Sequence, residues 1–246
     1  MTDYRKYEFT KKELVLNLTI SLAITSFLAE IFYRSLIAVI LLSPVSVIIL
    51  KYRKKQLKEK RLWELNLEFR EAINCLSSSL ASGYSIENSF SRSVQDLRLL
   101  YEEDCMIIRE FEYIIYQLQT NITIEAALSQ FAERTELEDI NNFTEVFVTA
   151  KRTGGDIIKI IQSTSKNIGD KIDVKRNVIT LITSKKLEAN IMSIVPIGII
   201  LYMWLSMPGF LDPMYHNILG IIVMTIVMIV YMIAYFWGQR LMNIQV

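Results

Sequence analysis

Three consecutive carboxylates, Glu102, Glu103 and Asp104, are the side chains in this sequence best suited to metal chemistry. A metal site needs ligands that converge on one point, whereas consecutive positions on a helix point in different directions. We therefore predict that these residues form the solvated start of a helix and that the chain has no metal site.

Two other acidic residues have a charged or titratable neighbour four positions later. Glu30 and Arg34 lie at the end of an apolar segment, where a mutual ion pair or snorkelling to the membrane surface outweighs a proton relay. Asp212 and His216 have the same spacing in a short polar connection, and we interpret them as parts of a surface loop.

No sequence motif indicates catalysis. Motifs of the GxxxxGK[ST], HExxH and GxSxG types do not occur, and a single histidine cannot build a multi-histidine metal centre.

Gly154 and Gly155 could approach a phosphate, but a tight turn between helices explains them better. Cys75 and Cys105 are 30 positions apart without a CxxC pattern, which favours free buried thiols. We predict a non-enzyme without a cofactor.

The hydrophobic residues, 52% of the chain, are concentrated in four segments, while the charged fraction is an ordinary 22%. Segments of about twenty apolar residues can cross a bilayer as helices. We predict membrane spans at about 14–33, 36–50, 191–207 and 218–237, which pair into two hairpins.

The basic run, residues 51–61, contains seven Lys or Arg residues and follows the second apolar segment. Because Lys and Arg near span ends resist translocation, both termini and the central block are predicted to be cytoplasmic. The same side chains can contact anionic lipid head groups. The predicted divisions are a tail and hairpin at 1–50, a cytoplasmic domain at 51–190 and a hairpin at 191–246. The membrane-proximal basic residues are Lys51, Arg53, Lys54, Lys55, Lys58, Lys60 and Arg61.

The central block shows helical periodicity and no strand-like alternation, so the fold class is predicted to be all-α. The expected architecture is a polytopic membrane protein with a six-helix cytoplasmic bundle between two transmembrane hairpins. The basic run is expected to mark the start of the first bundle helix. The sixth helix has no break before the third span and should continue into it. The predicted helices cover about 62–80, 85–97, 103–118, 124–134 and 137–152, with the sixth starting at Asp156.

A short internal echo occurs inside this block. Residues 85–90 match residues 123–128 in residue type, 38 positions later, and each segment follows a helix–turn junction. Hydroxyl–apolar–acid is a common helix opening. The echo is therefore either a structural repeat or two ordinary capped helix starts.

Charge is distributed unevenly along the central block. Residues 62–145 carry sixteen acidic and five basic residues, whereas the flanking segments are basic. Such an excess would steer a basic partner surface, and the alternative is a solvated surface without a specific partner. The residues predicted to contact a partner are Glu102, Glu103, Asp104, Glu110 and Glu112.

Residues 80–90, Leu-Ala-Ser-Gly-Tyr-Ser-Ile-Glu-Asn-Ser-Phe, resemble the start of the type II secretion system F domain. Residues 124–134, followed by 150–157 with its glycine pair, resemble the second half of that domain. The turn motif is carried by Gly83, Tyr84, Gly154 and Gly155. Two departures from the family pattern are Asn121, where glycine is usual, and Ser89, where alanine is common. Asparagine can adopt left-handed conformations and so preserve the turn.

The order of two spans, a helical domain and two spans is similar to the Tad (tight adherence, Flp pilus) subgroup, TadB or TadC. The resemblance implies a membrane platform protein of a type IV pilus or type II secretion system, without catalytic activity. Its implied partners are a secretion ATPase, pilin or pseudopilin subunits, and a sister platform subunit or a second copy. Nucleic acid is not among them. The alternative is a membrane sensor or transporter accessory subunit with a cytoplasmic signalling bundle.

Overall fold

The computed structural model describes residues 3–5, 7–33, 36–154, 156–207, 209–215 and 217–242. These residues form helices joined by short connections, and none of them lies in a β-strand. The predicted all-α fold class is therefore confirmed. The helices are α1 (Lys11–Tyr33), α2 (Leu36–Ala81), α3 (Ile86–Leu100), α4 (Met106–Gln119), α5 (Ile124–Thr135), α6 (Glu138–Thr153), α7 (Ile157–Ser206), α8 (Asp212–Tyr215) and α9 (Ile218–Met242).

Three of the described helices are long and apolar enough to cross a membrane, namely α1, the C-terminal part of α7, and α9 from Ile218 to Gly238. They correspond to the first, third and fourth predicted spans. The second predicted span, 36–50, forms the beginning of α2, which contains Pro44. It is not among these three, and its role as a span stays a prediction.

The basic run does not mark a helix start, and that prediction was wrong. It lies in the interior of α2, which continues for 46 residues from Leu36 to Ala81. Lys, Arg, Gln, Glu and Leu are all good helix formers, so the change from apolar to basic composition contains no signal that ends a helix. The prediction that the sixth bundle helix continues into the third span was correct, because α7 runs without a break from Ile157 to Ser206.

The chain divides into two compact units. The bundle unit consists of Met1–Glu8 and Lys54–Val174, and the apolar unit consists of Phe9–Arg53 and Lys175–Val246. Helices α3 to α6 lie wholly in the bundle unit, whereas α2 and α7 contribute residues to both.

The core of the bundle unit is built around buried phenylalanines. The ring of Phe69 on α2 lies 5.5 Å from that of Phe143 in an edge-to-face arrangement, and 6.1 Å from that of Phe131. A second pair, Phe90 and Phe111, joins α3 to α4 with ring centroids 5.0 Å apart. Aromatic pairs of this kind add to the stabilisation from burying apolar area.

Helix α7 presents one face to the core of the bundle unit. Its buried residues are Ile161, Ser165, Ile168, Gly169 and Ile172, a spacing of three and four that defines a single stripe. The absence of a side chain at Gly169 leaves room for a guanidinium from α2, because a Cβ there would lie 3.3 Å from Nε and Nη2 of Arg70.

The helices of the apolar unit are joined by tyrosine hydroxyl groups. Tyr33 of α1 donates to Oγ1 of Thr225 on α9 at 3.0 Å, and Tyr231 of α9 donates to the Ser193 carbonyl on α7 at 2.9 Å. Such bonds satisfy the polar end of a tyrosine that is surrounded by apolar side chains.

Candidate functional site: repeated turns and an acidic loop

The turn between α2 and α3 is a helix C-cap of the Schellman type. Gly83 has φ +88°, a conformation that glycine adopts without strain. Its N–H donates to the Leu80 carbonyl at 3.0 Å, and the Tyr84 N–H donates to the Ser79 carbonyl at 3.3 Å. These two bonds satisfy carbonyl groups left open at the end of α2.

The turn between α4 and α5 has the same hydrogen bonds 38 positions later. Asn121 has φ +60° and donates to the Leu118 carbonyl at 3.1 Å, while Ile122 donates to the Gln117 carbonyl at 3.0 Å. Asparagine is one of the few residues other than glycine that enters this region readily. The turn is therefore preserved despite the departure from glycine.

Each turn leads into a helix with the same N-cap. Ser85 accepts a hydrogen bond from the Asn88 N–H at 3.3 Å, and Thr123 accepts one from the Ala126 N–H at 3.4 Å. The two turns therefore share their backbone hydrogen bonds and the N-caps that follow, in addition to their pattern of residue types. Of the two interpretations of the echo, the geometry favours the structural repeat.

The glycine pair after α6 is described at its first member. Gly154 has φ +71°, and its N–H donates to the Ala150 carbonyl at the end of the helix. A Cβ at this position would meet nothing within 4 Å, so only the backbone conformation favours glycine. Gly155 lies outside the described residues.

The predicted carboxylate cluster lies in a loop rather than on a helix. Glu102, Glu103 and Asp104 belong to the segment 101–105, which we call the acidic loop, and α4 begins only at Met106. The predicted helix start at residue 103 was therefore wrong. The reason is an N-terminal cap from another helix, because Oε2 of Glu68 on α2 accepts a hydrogen bond from the Ile107 N–H at 3.0 Å.

The acidic loop exposes charge beside apolar surface. Glu102 and Glu103 are exposed, and Asp104 forms an ion pair with Arg109. Immediately before the loop, at the end of α3, the side chains of Leu99 and Leu100 are 85% and 63% exposed. Acidic and apolar groups together suit a partner surface that is basic and apolar.

The remaining predicted contact residues are engaged within the bundle unit. Glu112 accepts a hydrogen bond from Arg98 on α3 at 2.6 Å. Glu110 was predicted to lie on the acidic surface, but its side chain is only 1% exposed and it cannot serve as a surface charge. It forms a buried ion pair with Arg134 on α5. The guanidinium of Arg134 also lies 5.4 Å from the ring centre of Tyr113.

Tyr4 completes the environment of this carboxylate. Its hydroxyl donates to Oε1 of Glu110 at 3.1 Å, and its N–H donates to the Arg134 carbonyl at 3.1 Å. Its ring lies 4.9 Å from the guanidinium carbon of Arg61, a cation–π contact. Burial and the negative charge of Glu110 raise the pKa of Tyr4.

Sequence reasoning missed both Tyr4 and Arg134. The only available signal was their residue types, since Tyr4 lies 106 positions from Glu110 and follows no periodic pattern.

A second polar cluster was also missed. Oδ2 of the buried Asp139 accepts a hydrogen bond from Nδ2 of Asn66 at 2.8 Å, and Oδ1 accepts one from Nζ of Lys171 at 2.9 Å. Hydrogen bonds to Asp139 and Glu138 raise the pKa of Lys171. The cluster joins α2, α6 and α7, and within it the positive charge of Lys171 compensates the negative charge of Asp139.

Most side chains of the basic run remain at the surface. Lys51, Arg53, Lys54, Lys55 and Lys60 are exposed, whereas Lys58 and Arg61 are half-buried.

Within the described residues, no group of three or more His, Cys, Asp or Glu side chains is arranged to hold a metal ion. Cys75 and Cys105 are free thiols in partly buried positions.

These features define an all-helical membrane protein in which long helices extend from a helical bundle to apolar segments. A family model described as type II secretion system (T2SS), protein F, matches residues 72–205, more than half of the chain. The chain belongs to this family, and the resemblance of the sequence to the F domain is confirmed. No curated protein and no solved structure matches it.

Members of this family are non-catalytic platform proteins of secretion and pilus machines, and they work with secretion ATPases and other platform subunits. The family and the three apolar helices together indicate an inner-membrane protein.

Proposed function

We propose that this protein is a platform subunit of a Tad/Flp type IV pilus or type II secretion system. It couples a cytoplasmic secretion ATPase to the assembly or export of pilin subunits. The observation that carries the proposal is the continuity of α7, whose residues 161–172 pack in the bundle unit and whose C-terminal part is a candidate span. Family membership supports the platform role but does not favour the alternative of a sensor or transporter accessory subunit.

A continuous helix is a suitable element for passing on a displacement. Backbone hydrogen bonds join successive turns of α7, apart from the bond that Pro196 cannot donate, so a movement imposed on one part is not absorbed by a flexible connection. The fixed face of α7 in the bundle unit, from Ile161 to Ile172, supplies the point at which force can be applied.

The acidic loop is the surface that we assign to the ATPase. Its exposed carboxylates suit a basic partner. Leu99 and Leu100 add exposed apolar area, and the burial of this area on binding would stabilise the complex. The basic run is assigned to anionic lipid on the cytoplasmic face of the membrane. In this proposal, both termini and the bundle unit lie in the cytoplasm.

The described residues contain one bundle unit, and we propose that a second copy or a sister subunit completes the platform. An interface of that kind would bring two acidic loops to one motor.

Two successive prolines in α7 test the coupling. Replacing Ile179 and Thr180 by proline removes backbone donors and bends the helix outside the buried stripe. The matched control replaces the same two residues by alanine, which preserves the helix. We expect the proline variant to insert and to retain the ATPase while assembling no pilus, and the alanine variant to behave like the wild type. Normal piliation by the proline variant would refute the coupling role of α7.

A further inference from the structure

The apolar unit contains a cavity of about 250 Å³ whose described lining comes from α1, α7 and α8. Glu30 borders the cavity, but this residue is exposed and the cavity wall is almost wholly apolar. The other described lining residues are aliphatic or aromatic, namely Phe27, Ile31, Ile200, Leu201, Trp204 and Tyr215. The cavity therefore suits an apolar group, because a polar group would lose its hydrogen bonds there.

The hydroxyl group of Tyr215 is engaged within the protein. It donates to the Ile31 carbonyl at 2.8 Å, in the last turn of α1, where carbonyl groups have no partner inside the helix. A bound water needs about two to four polar partners, and apolar cavities of roughly 150 Å³ stay dry and take up benzene or xenon. We therefore expect this cavity to take up hydrocarbon in preference to water.

The cavity opens at the surface of the apolar unit. Ile31 and Tyr215 are buried, whereas Phe27 and Trp204 are 52% and 39% exposed and so lie at the opening. Both exposed rings lie on candidate spans, six residues before the end of α1 and two before the end of α7. The opening therefore faces the hydrocarbon of the bilayer, close to the lipid head groups.

The size of the cavity decides which apolar group can enter. A partner helix is about 10 Å across and too thick for this volume, whereas a lipid acyl chain is thin and flexible. A volume of about 250 Å³ is roughly eight times that of one water molecule, and a methylene group is of similar size. Because an empty space deprives its lining of dispersion contacts, filling it with about eight methylenes is favourable.

We propose that this cavity binds one acyl chain of a membrane lipid, which enters between Phe27 and Trp204 and reaches Ile31 and Tyr215. The contacts are made with the chain and not with the head group, so lipids of different head-group charge bind alike. The chain supplies packing between the ends of α1 and α7 that their own side chains leave incomplete. This site does not depend on the coupling role proposed for α7.

Quenching of Trp204 by brominated lipid tests the proposal, because bromine on an acyl chain quenches tryptophan emission on contact. In the full chain with Trp63→Phe and Trp237→Phe, Trp204 is the remaining tryptophan. This variant is placed in vesicles of phosphatidylcholine brominated near the head-group end of one chain, and its emission is compared with that in unbrominated vesicles. We expect strong quenching, and equal quenching by phosphatidylglycerol brominated at the same carbons.

Filling the cavity provides a matched comparison in the same background. Ile200→Phe adds a ring inside the lining, and we expect it to reduce the quenching of Trp204 at least about twofold. Ile199→Phe makes the same change at the neighbouring position, which is 54% exposed and outside the lining, and should leave the quenching unchanged. Leu201→Phe fills the cavity from the next position and replaces Ile200→Phe if that variant does not fold.

Two results would overturn the proposal. Equal quenching in the filled variant and in Ile199→Phe would show that bromine reaches Trp204 only from the surrounding bilayer. If the filled variant also changed from oligomer to monomer in light scattering, the cavity would instead receive a side chain of a second copy. A clear difference between phosphatidylcholine and phosphatidylglycerol would assign the binding to the head group.

Discussion

The hydroxyl oxygen of Tyr4 lies 3.1 Å from Oε1 of Glu110, a residue 106 positions later that is buried in α4. The other carboxylate oxygen is paired with Arg134. Residues that precede the first span thus form part of the bundle unit, and a charge at its centre depends on them.

The buried ion pair should be far more important for stability than exposed pairs. We expect Arg134→Met to destabilise the protein by about 3 kcal/mol, because it leaves the Glu110 carboxylate buried without a compensating positive charge. The control is Arg98→Met, which removes an exposed pair with Glu112 and should cost at most about 1 kcal/mol. Chemical denaturation followed by circular dichroism compares the two. Similar losses in both variants would contradict a special role for the buried pair.

Removing the Tyr4 hydroxyl should have a smaller effect. Tyr4→Phe retains the ring under Arg61 but deprives Glu110 of a hydrogen-bond donor, for a loss of about 1 to 2 kcal/mol. Tyr4→Ala removes the ring as well and should cost more. A nitroxide label attached at position 3 should become more mobile in Tyr4→Ala than in Tyr4→Phe. If neither variant changes stability or label mobility, the residues around Tyr4 do not hold the bundle unit together.

The thiol of Cys105 should resist alkylation. Burial, followed by the hydrogen bond and negative charge of Glu68, raises the pKa of Cys105 to about 11. In a Cys75→Ser background, the rate of reaction with iodoacetamide should rise with pH up to about 11, and Glu68→Gln should shift that profile to lower pH.

The same pKa predicts a change of stability with pH. An unfolded cysteine titrates near pH 8.5, so the folded state holds the additional proton above that value. The stability contribution is fully present below about pH 8.5 and is lost as pH rises to about 11. Cys105→Ser should weaken this dependence, and an identical pH profile in that variant would contradict the assignment.

The two turns allow a matched comparison of backbone strain. At Gly83 a Cβ would meet nothing within 4 Å, so Gly83→Ala should cost about 1 to 2 kcal/mol through its positive φ alone. Gly83→Asn should cost less, because Asn121 already occupies the equivalent conformation in the second turn. Thermal unfolding measures both variants. Equal costs for alanine and asparagine would show that φ is not the cause.

Charge reversal tests the surface assigned to the ATPase. Glu102→Lys with Glu103→Lys should strongly reduce the amount of ATPase that copurifies, because both side chains are exposed in the acidic loop. The control reverses Glu133 and Glu145, two exposed acids of α5 and α6 with the same charge change. An equal reduction in both variants would indicate a non-specific electrostatic effect, and no reduction would leave the loop without this role.

Local signals in the sequence were sufficient for most of the helices. The turn at Gly83, the cap at Ser85 and the uninterrupted α7 were predicted because each depends on residues close together in the chain. The start of α4 was not, because the Glu68 carboxylate that caps it lies 39 positions away on another helix.

The acidic surface was only partly predictable for the same reason. A carboxylate such as Glu110 is expected at the surface unless a compensating charge is known, and Arg134 becomes its neighbour only after α4 and α5 pack together.

At a rise of about 1.5 Å per residue, the fifty residues of α7 supply about 75 Å of helix along its path, more than twice the thickness of a bilayer's hydrocarbon core. One residue inserted between Val174 and Ile191 would turn every later side chain by about 100° about the helix axis. Surface loops of this chain can change in length at little cost, but the number of residues in this segment cannot. We therefore expect related chains to vary freely in sequence here while keeping its length constant.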